Sequence, residues 1–74
     1  MTLPAANWSS KSQTITVQGI LADDAAQLVH ISPTGEYESE AIANEVAAIA
    51  TAADSITFGC DIVPEHDVQM VVTV

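Results

Sequence analysis

A chain of 74 residues with a single cysteine has room for one domain, 1–74, and for no internal disulfide. Ten Asp and Glu against one Lys give a net charge of −9, which excludes direct binding to nucleic-acid phosphates and to an anionic membrane surface. Apolar residues make up 49% of the chain, too many for a disordered segment, but a core this small supplies only about 3–5 kcal/mol, so oligomerisation is the expected source of further stability.

Residues 1–10 read as a lead-in with Pro4 and Trp8. They show no basic start and no apolar h-region, so no signal peptide is expected, and no apolar run approaches the roughly 20 residues of a membrane span. Trp8 reads either as a packing anchor over one end of the domain or as a contact for another subunit. Residues 13–18 alternate as a half-buried strand, with Ile15 and Val17 inward and Thr14, Thr16 and Gln18 outward. Gly19 ends it. Asp23 and Asp24 lack the further oxygen ligands of a calcium loop and read as a solvated turn.

Residues 26–32 form the second predicted strand. Val29 and Ile31 share one face and Leu28 and His30 the other, so the strand is covered on both faces or lies at an interface. His30 reads as a structural histidine. Pro33 and Gly35 stop the strand. Residues 36–53 are the one helical segment: Ile42, Val46, Ile49 and Ala53 make a single apolar stripe. Ser39 is the expected N-cap. The helix dipole accounts for Glu36, Glu38 and Glu40 at its start without any metal.

Residues 55–60 form a strand with Ile56, Phe58 and Cys60 on one face, and Pro64, Glu65, His66 and Asp67 supply turn chemistry. In residues 68–74, Val68, Met70, Val72 and Val74 share one face and Gln69, Val71 and Thr73 the other. The order strand, strand, helix, strand, strand predicts an α+β domain: two hairpins in a small four-stranded antiparallel sheet (β-β-α-β-β), with the helix packed on one face. Ile42, Val46 and Ile49 would then meet Ile15, Val17, Ile56, Phe58, Met70 and Val72. The alternative is a small β-sandwich in which the helix bridges two hairpins.

No catalytic, metal-binding or cofactor-binding residues are expected. There is no Arg, and no Gly-rich loop precedes a helix. Cys60 on an inward strand face reads as an inert thiol. Glu65, His66 and Asp67 form the one tight acid/His cluster. It reads as loop solvation, with a metal site at a subunit junction as the functional counterpart. The acidic balance reads as solubility and self-repulsion, or more sharply as mimicry of nucleic acid toward a basic partner.

Trp8-Ser9 followed by Gln13-Thr14-Ile15-Thr16-Val17-Gln18-Gly19-Ile20, and Ile56-Thr57-Phe58-Gly59-Cys60 followed by Pro64 and Asp67-Val68-Gln69-Met70-Val71-Val72, carry a resemblance. Together they resemble small domains of tail-fibre, baseplate and head-fibre proteins of tailed bacteriophages and prophages. Those have the form W-x-x-x-x-Q-T-V-T-V-x-G-V, then a helix, a strand like I-T-F, a proline and a closing alternating strand. The resemblance implies a virion structural protein, made in the host cytoplasm and homotrimeric, whose partners are its own copies, other virion proteins or a host surface receptor. Trp8, Leu28, Val71 and Val74 are the expected oligomer interface: a lone sheet with one helix leaves Leu28, Val71 and Val74 wet, and Trp8 joins them in its reading as a subunit contact. The rival expectation is a small acidic phage-encoded inhibitor of a host defence protein.

Overall fold

The computed structural model describes residues 1–22 and 27–73. It contains six strands, β1 (Thr2–Leu3), β2 (Ser12–Thr16), β3 (His30–Thr34), β4 (Ala47–Ala52), β5 (Ser55–Gly59) and β6 (Val68–Thr73), and one short helix, α1 (Glu38–Ala43). The strands form two separate antiparallel sheets, β1-β6-β3 and β2-β5-β4. This overturns the single four-stranded sheet with a packed helix. Neither expected hairpin forms, so the bridging-helix alternative also misplaces the connections. β2 pairs with β5, with Ile15 opposite Ile56, and β3 pairs with β6, with Ile31 opposite Val72.

The reason lies in β5. It is paired along both edges, by β2 on one side and β4 on the other, so it has no free edge to offer β6. The chain after Gly59 instead crosses to the other sheet through residues 60–67. Pro64 is buried on the way. The lead-in is likewise part of the fold, because β1 pairs with β6 and Met70 N–H donates to Met1 O.

The long helix is replaced by a six-residue α1 and the strand β4. Local chemistry ends α1. Glu45 adopts a left-handed φ of 56°, its N–H donates to Ile42 O, and Val46 N–H donates to Ala41 O. This pair of bonds is a Schellman motif, with Glu45 where glycine is usual. The accompanying apolar contact is present in kind, since Ala41 and Val46 are both buried. Ser39 lies inside α1, and the residue at its N-cap, Tyr37, makes no side-chain capping bond. After Val46 the Ala-rich run has good helix propensity, yet pairing with β5 holds it extended. Tertiary pairing overrides the local preference.

The inner faces of the two sheets share one core. Ile56 and Phe58 come from β5, Val68 and Met70 from β6, and Leu3, Ile20, Ala41 and Val46 complete it. Of the expected helical stripe only Val46 takes part. Ile42 and Ile49 are 63% and 65% exposed. Ile49 is the extra residue where the β4–β5 register shifts, and it lies over Gly59, close enough that a Cβ there would sit 3.2 Å from it. Gln13 is also inward, with its Nε2 donating to Pro4 O. The strand predicted at 26–32 begins instead at His30 and runs through Pro33, which pairs with Met70 on an edge strand, where a missing N–H is tolerated. Asp23, Asp24, Ala26 and Val74 lie outside the described residues.

Two hairpin turns anchor the second sheet. Ser9 and Ser12 exchange both backbone bonds around Ser10 and Lys11, whose φ values are 51° and 62°, the type I′ geometry that matches strand twist. Asp54 ends the β4 hairpin at φ 57° and ties down the chain that follows β2. Its O accepts from Val17 N–H, its N–H donates to Ile20 O, and its Oδ1 accepts from Gly19 N–H.

Two truncations separate this packing from the helical-stripe expectation. Phe58→Ala removes the largest buried side chain and should cost about 3–5 kcal/mol, enough to unfold so small a domain. Ile42→Ala should change stability by less than about 0.5 kcal/mol, because the side chain is exposed. Urea unfolding followed by circular dichroism measures both.

Candidate functional site

The first candidate surface is the opening between the two sheets. β3 is an edge of one sheet and β4 an edge of the other. Between them runs a cleft with two adjoining parts. One, of about 330 Å³, is lined by Leu21, Gln27, Leu28, Val29 and Ile31 on one side and Ala48, Ile49, Ala50 and Thr51 on the other. The second, of about 350 Å³, lies between Val29, Ile31 and Pro33 and Val46, Ala47 and Ala48, with Met70 in its lining. Small and aliphatic side chains make up most of the walls, with Gln27, Thr51 and His30 as the polar members. Among the described lining residues the one titratable group is His30, at the second part.

The second is a cluster of polar side chains where α1 meets the 60–67 crossing. Glu40 Oε1 accepts from the backbone N–H groups of Glu65 and His66 at 2.6 and 3.3 Å, and Oε2 lies 2.7 Å from His66 Nδ1. The His66 ring stacks on Tyr37, with centroids 4.1 Å apart and planes within 3°. One carboxylate thus holds two loop amides and an imidazole. Asn44 O, at the end of the same helix, accepts from Asp61 and Ile62 N–H. Asp67 Oδ1 accepts from Ala5 N–H at 2.8 Å and ties the end of the crossing to the first segment. The cluster fastens the crossing that carries the chain between sheets.

The hydrogen bond to His66, with those from the two backbone amides, holds Glu40 below the usual carboxylate value. The hydrogen bond to Glu40, reinforced by the negative charges of Glu40, Glu65 and Glu36, raises His66. Among the described residues no group of three or more His, Cys, Asp and Glu converges as an ion site. Burial pushes the Cys60 thiol up, away from reactivity. Its Sγ lies 3.7 Å from Lys11 O.

Of the four residues expected at an oligomer interface, the three that are described, Trp8, Leu28 and Val71, lie at different places on the fold. Trp8 is half-buried against the core, as an anchor would be, with its Nε1 buried and unpartnered. Leu28 lines the cleft and is 88% exposed. Val71 is exposed on the outer face of the first sheet, opposite Ser32. Val74 lies outside the described residues. Sequence reasoning placed Glu65, His66 and Asp67 together but did not find Glu40 or Tyr37 as their partners. No local signal joins positions 26 residues apart.

The Glu40–His66 pair predicts a pH window. Glu40 is lowered, so its contribution is complete above its ordinary 4.5 and is lost as pH falls through its folded value. His66 is raised, so its contribution is complete below its ordinary 6.5 and is lost as pH rises through its folded value. The difference in urea midpoint between the wild type and Glu40→Gln should therefore be largest between about pH 4.5 and 6.5 and shrink on both sides. A difference that does not change with pH would show that the pair adds no charge-dependent stability.

Comparison with known proteins finds no family model, no curated protein and no solved structure that matches this chain.

Proposed function

We propose that this chain is a non-catalytic structural component of a bacteriophage virion, a fibre, decoration or host-attachment part that works as a symmetric homo-oligomer, a trimer. The virion part of the reading is supported by the sequence resemblance carried by Trp8, by residues 13–20 and by the run from Ile56 to Val72. The observation that carries self-association is where the charge is placed. None of the six strands contains an acidic or basic residue other than His30. Every described carboxylate sits in a turn, a connection or α1. The outer face of the first sheet, with Val71 among Ser32, Gln69 and Thr73 and with His30 opposite Thr73, carries no carboxylate. Copies that meet through it keep their carboxylates in water, despite a charge of −9 each. Every large apolar side chain so covered contributes on the order of 1.5–3 kcal/mol.

A second reading, an acidic inhibitor that mimics nucleic acid, is favoured by the carboxylates of Glu36, Glu40 and Glu65 acting together on His66. Such a protein meets its basic partner as a monomer.

The measurement that separates the two is mass in solution by light scattering on a sizing column, over a range of concentrations. A concentration-independent trimer is expected. Val71→Asp should shift it to monomer with an unchanged circular dichroism spectrum, since the side chain is exposed within one chain. A wild-type monomer at every concentration overturns the oligomer reading.

A further inference from the structure

We infer that the crossing between β5 and β6 is a preformed recognition loop, which presents Ile62 and Val63, between Asp61 and Glu65, to a protein partner whose surface offers an apolar pocket rimmed by Lys or Arg. Ile62 and Val63 are 59% and 40% exposed, and among the described residues they are the one pair of large apolar side chains exposed side by side in sequence. Pro64, the next residue, is buried, so the chain turns inward directly after the pair. Single apolar side chains on a surface are ordinary. An adjacent pair with an exposed acid on either side has the apolar centre and polar rim of a contact surface.

The backbone on both sides of the pair is held from outside the loop. Cys60 N–H donates to Lys11 O, Asp61 and Ile62 N–H donate to Asn44 O, and Glu65 and His66 N–H donate to Glu40 Oε1. Asp67 Oδ1 accepts from Ala5 N–H beyond them. The two side chains are therefore offered in a fixed setting, and a partner has little loop freedom to remove on binding. The same bonds occupy the amides of residues 60, 61, 62, 65 and 66. The loop offers side chains rather than main-chain donors.

Charge selects the occupant. Asp61 and Glu65 flank the pair, and Glu36 and Glu40 join Glu65 in placing negative charge around His66, on the same segment. A second copy brings ten carboxylates and Lys11 as its one Lys or Arg, so it has no basic rim to set against both acids and adds repulsion instead. A foreign surface with basic side chains around an apolar pocket turns both acids into attractions and covers the pair at the same time. The inference does not rest on the oligomer reading, which uses the outer face of the first sheet.

The test uses the isotopically labelled full chain and β-cyclodextrin, a ring with an apolar cavity, in two forms: unmodified, and with an amino group on every glucose unit. At low salt the amino form should bind about tenfold more tightly than the neutral one, with methyl shifts centred on Ile62 and Val63. Ile62→Ser with Val63→Ser should abolish those shifts and leave the circular dichroism spectrum unchanged. Asp61→Asn with Glu65→Gln should bring the two affinities together, as should added salt in the wild type. In the free chain the amides of 61, 62, 65 and 66 should exchange more slowly than those of an unstructured peptide. Binding of neither form, equal binding of both, shifts centred on Ile42, Ile49 or the cleft, or unprotected amides at those four positions overturns the inference. Shifts at Ile62 and Val63 that grow with protein concentration alone assign the pair to a second copy and overturn it as well.

Discussion

The crossing between β5 and β6 is the constraint on which the rest of the molecule depends. β5 is saturated along both edges by β2 and β4, so the chain leaving Gly59 has nowhere to pair. It must travel to the other sheet before Val68 begins β6. That crossing sets Phe58 and Ile56 in one sheet and Val68 and Met70 in the other around one core. The remaining elements follow from it. Leu3 on β1 and Ala41 on α1 close the sides of a core that two small sheets do not fill by themselves.

A crossing of this kind exposes backbone polar groups, which need partners. Here α1 supplies them. Its six residues are too few to be stable as an isolated helix, and its main task is to present Ala41 to the core and Glu40 and Asn44 to the loop. Glu40 accepts two loop amides and holds His66, which rests on Tyr37. Asp67 and Asp54 do comparable work at other junctions, each accepting a backbone N–H across a long stretch of sequence. The acidic residues of this chain are therefore not only a solvated coat. Several are the acceptors that hold irregular segments in place.

The same placement of charge shapes the surface. The described acids occupy turns, connections and the helix and leave the strands without carboxylates, while Glu45 and Asp54 bracket β4. Faces without carboxylates permit contact between copies. Bracketed edges discourage strand pairing between them, a known route to aggregation for exposed strands. The bulge at Ile49 works in the same direction by interrupting the ladder.

Strand periodicity determined which faces of β2, β5 and β6 turn inward: Ile15, Ile56, Phe58, Val68 and Met70 are where alternation places them, because a two-residue period is a local property of the backbone. The partners of those strands were not determined locally. Alternation is the same whether a strand pairs with its neighbour in sequence or with one 40 residues away, so β2 with β5 and β3 with β6 were decided by the tertiary structure. The stretch from Glu45 to Ala52 is the sharpest case. Its apolar spacing and alanine content suit a helix, but a left-handed Glu45 ends α1 without the glycine that would have marked the stop, and β5 offers an edge that keeps the alanines extended. The Glu40–His66–Tyr37 cluster and the cleft between β3 and β4 were likewise decided by the fold, since each is made of residues that only the crossing between sheets brings together.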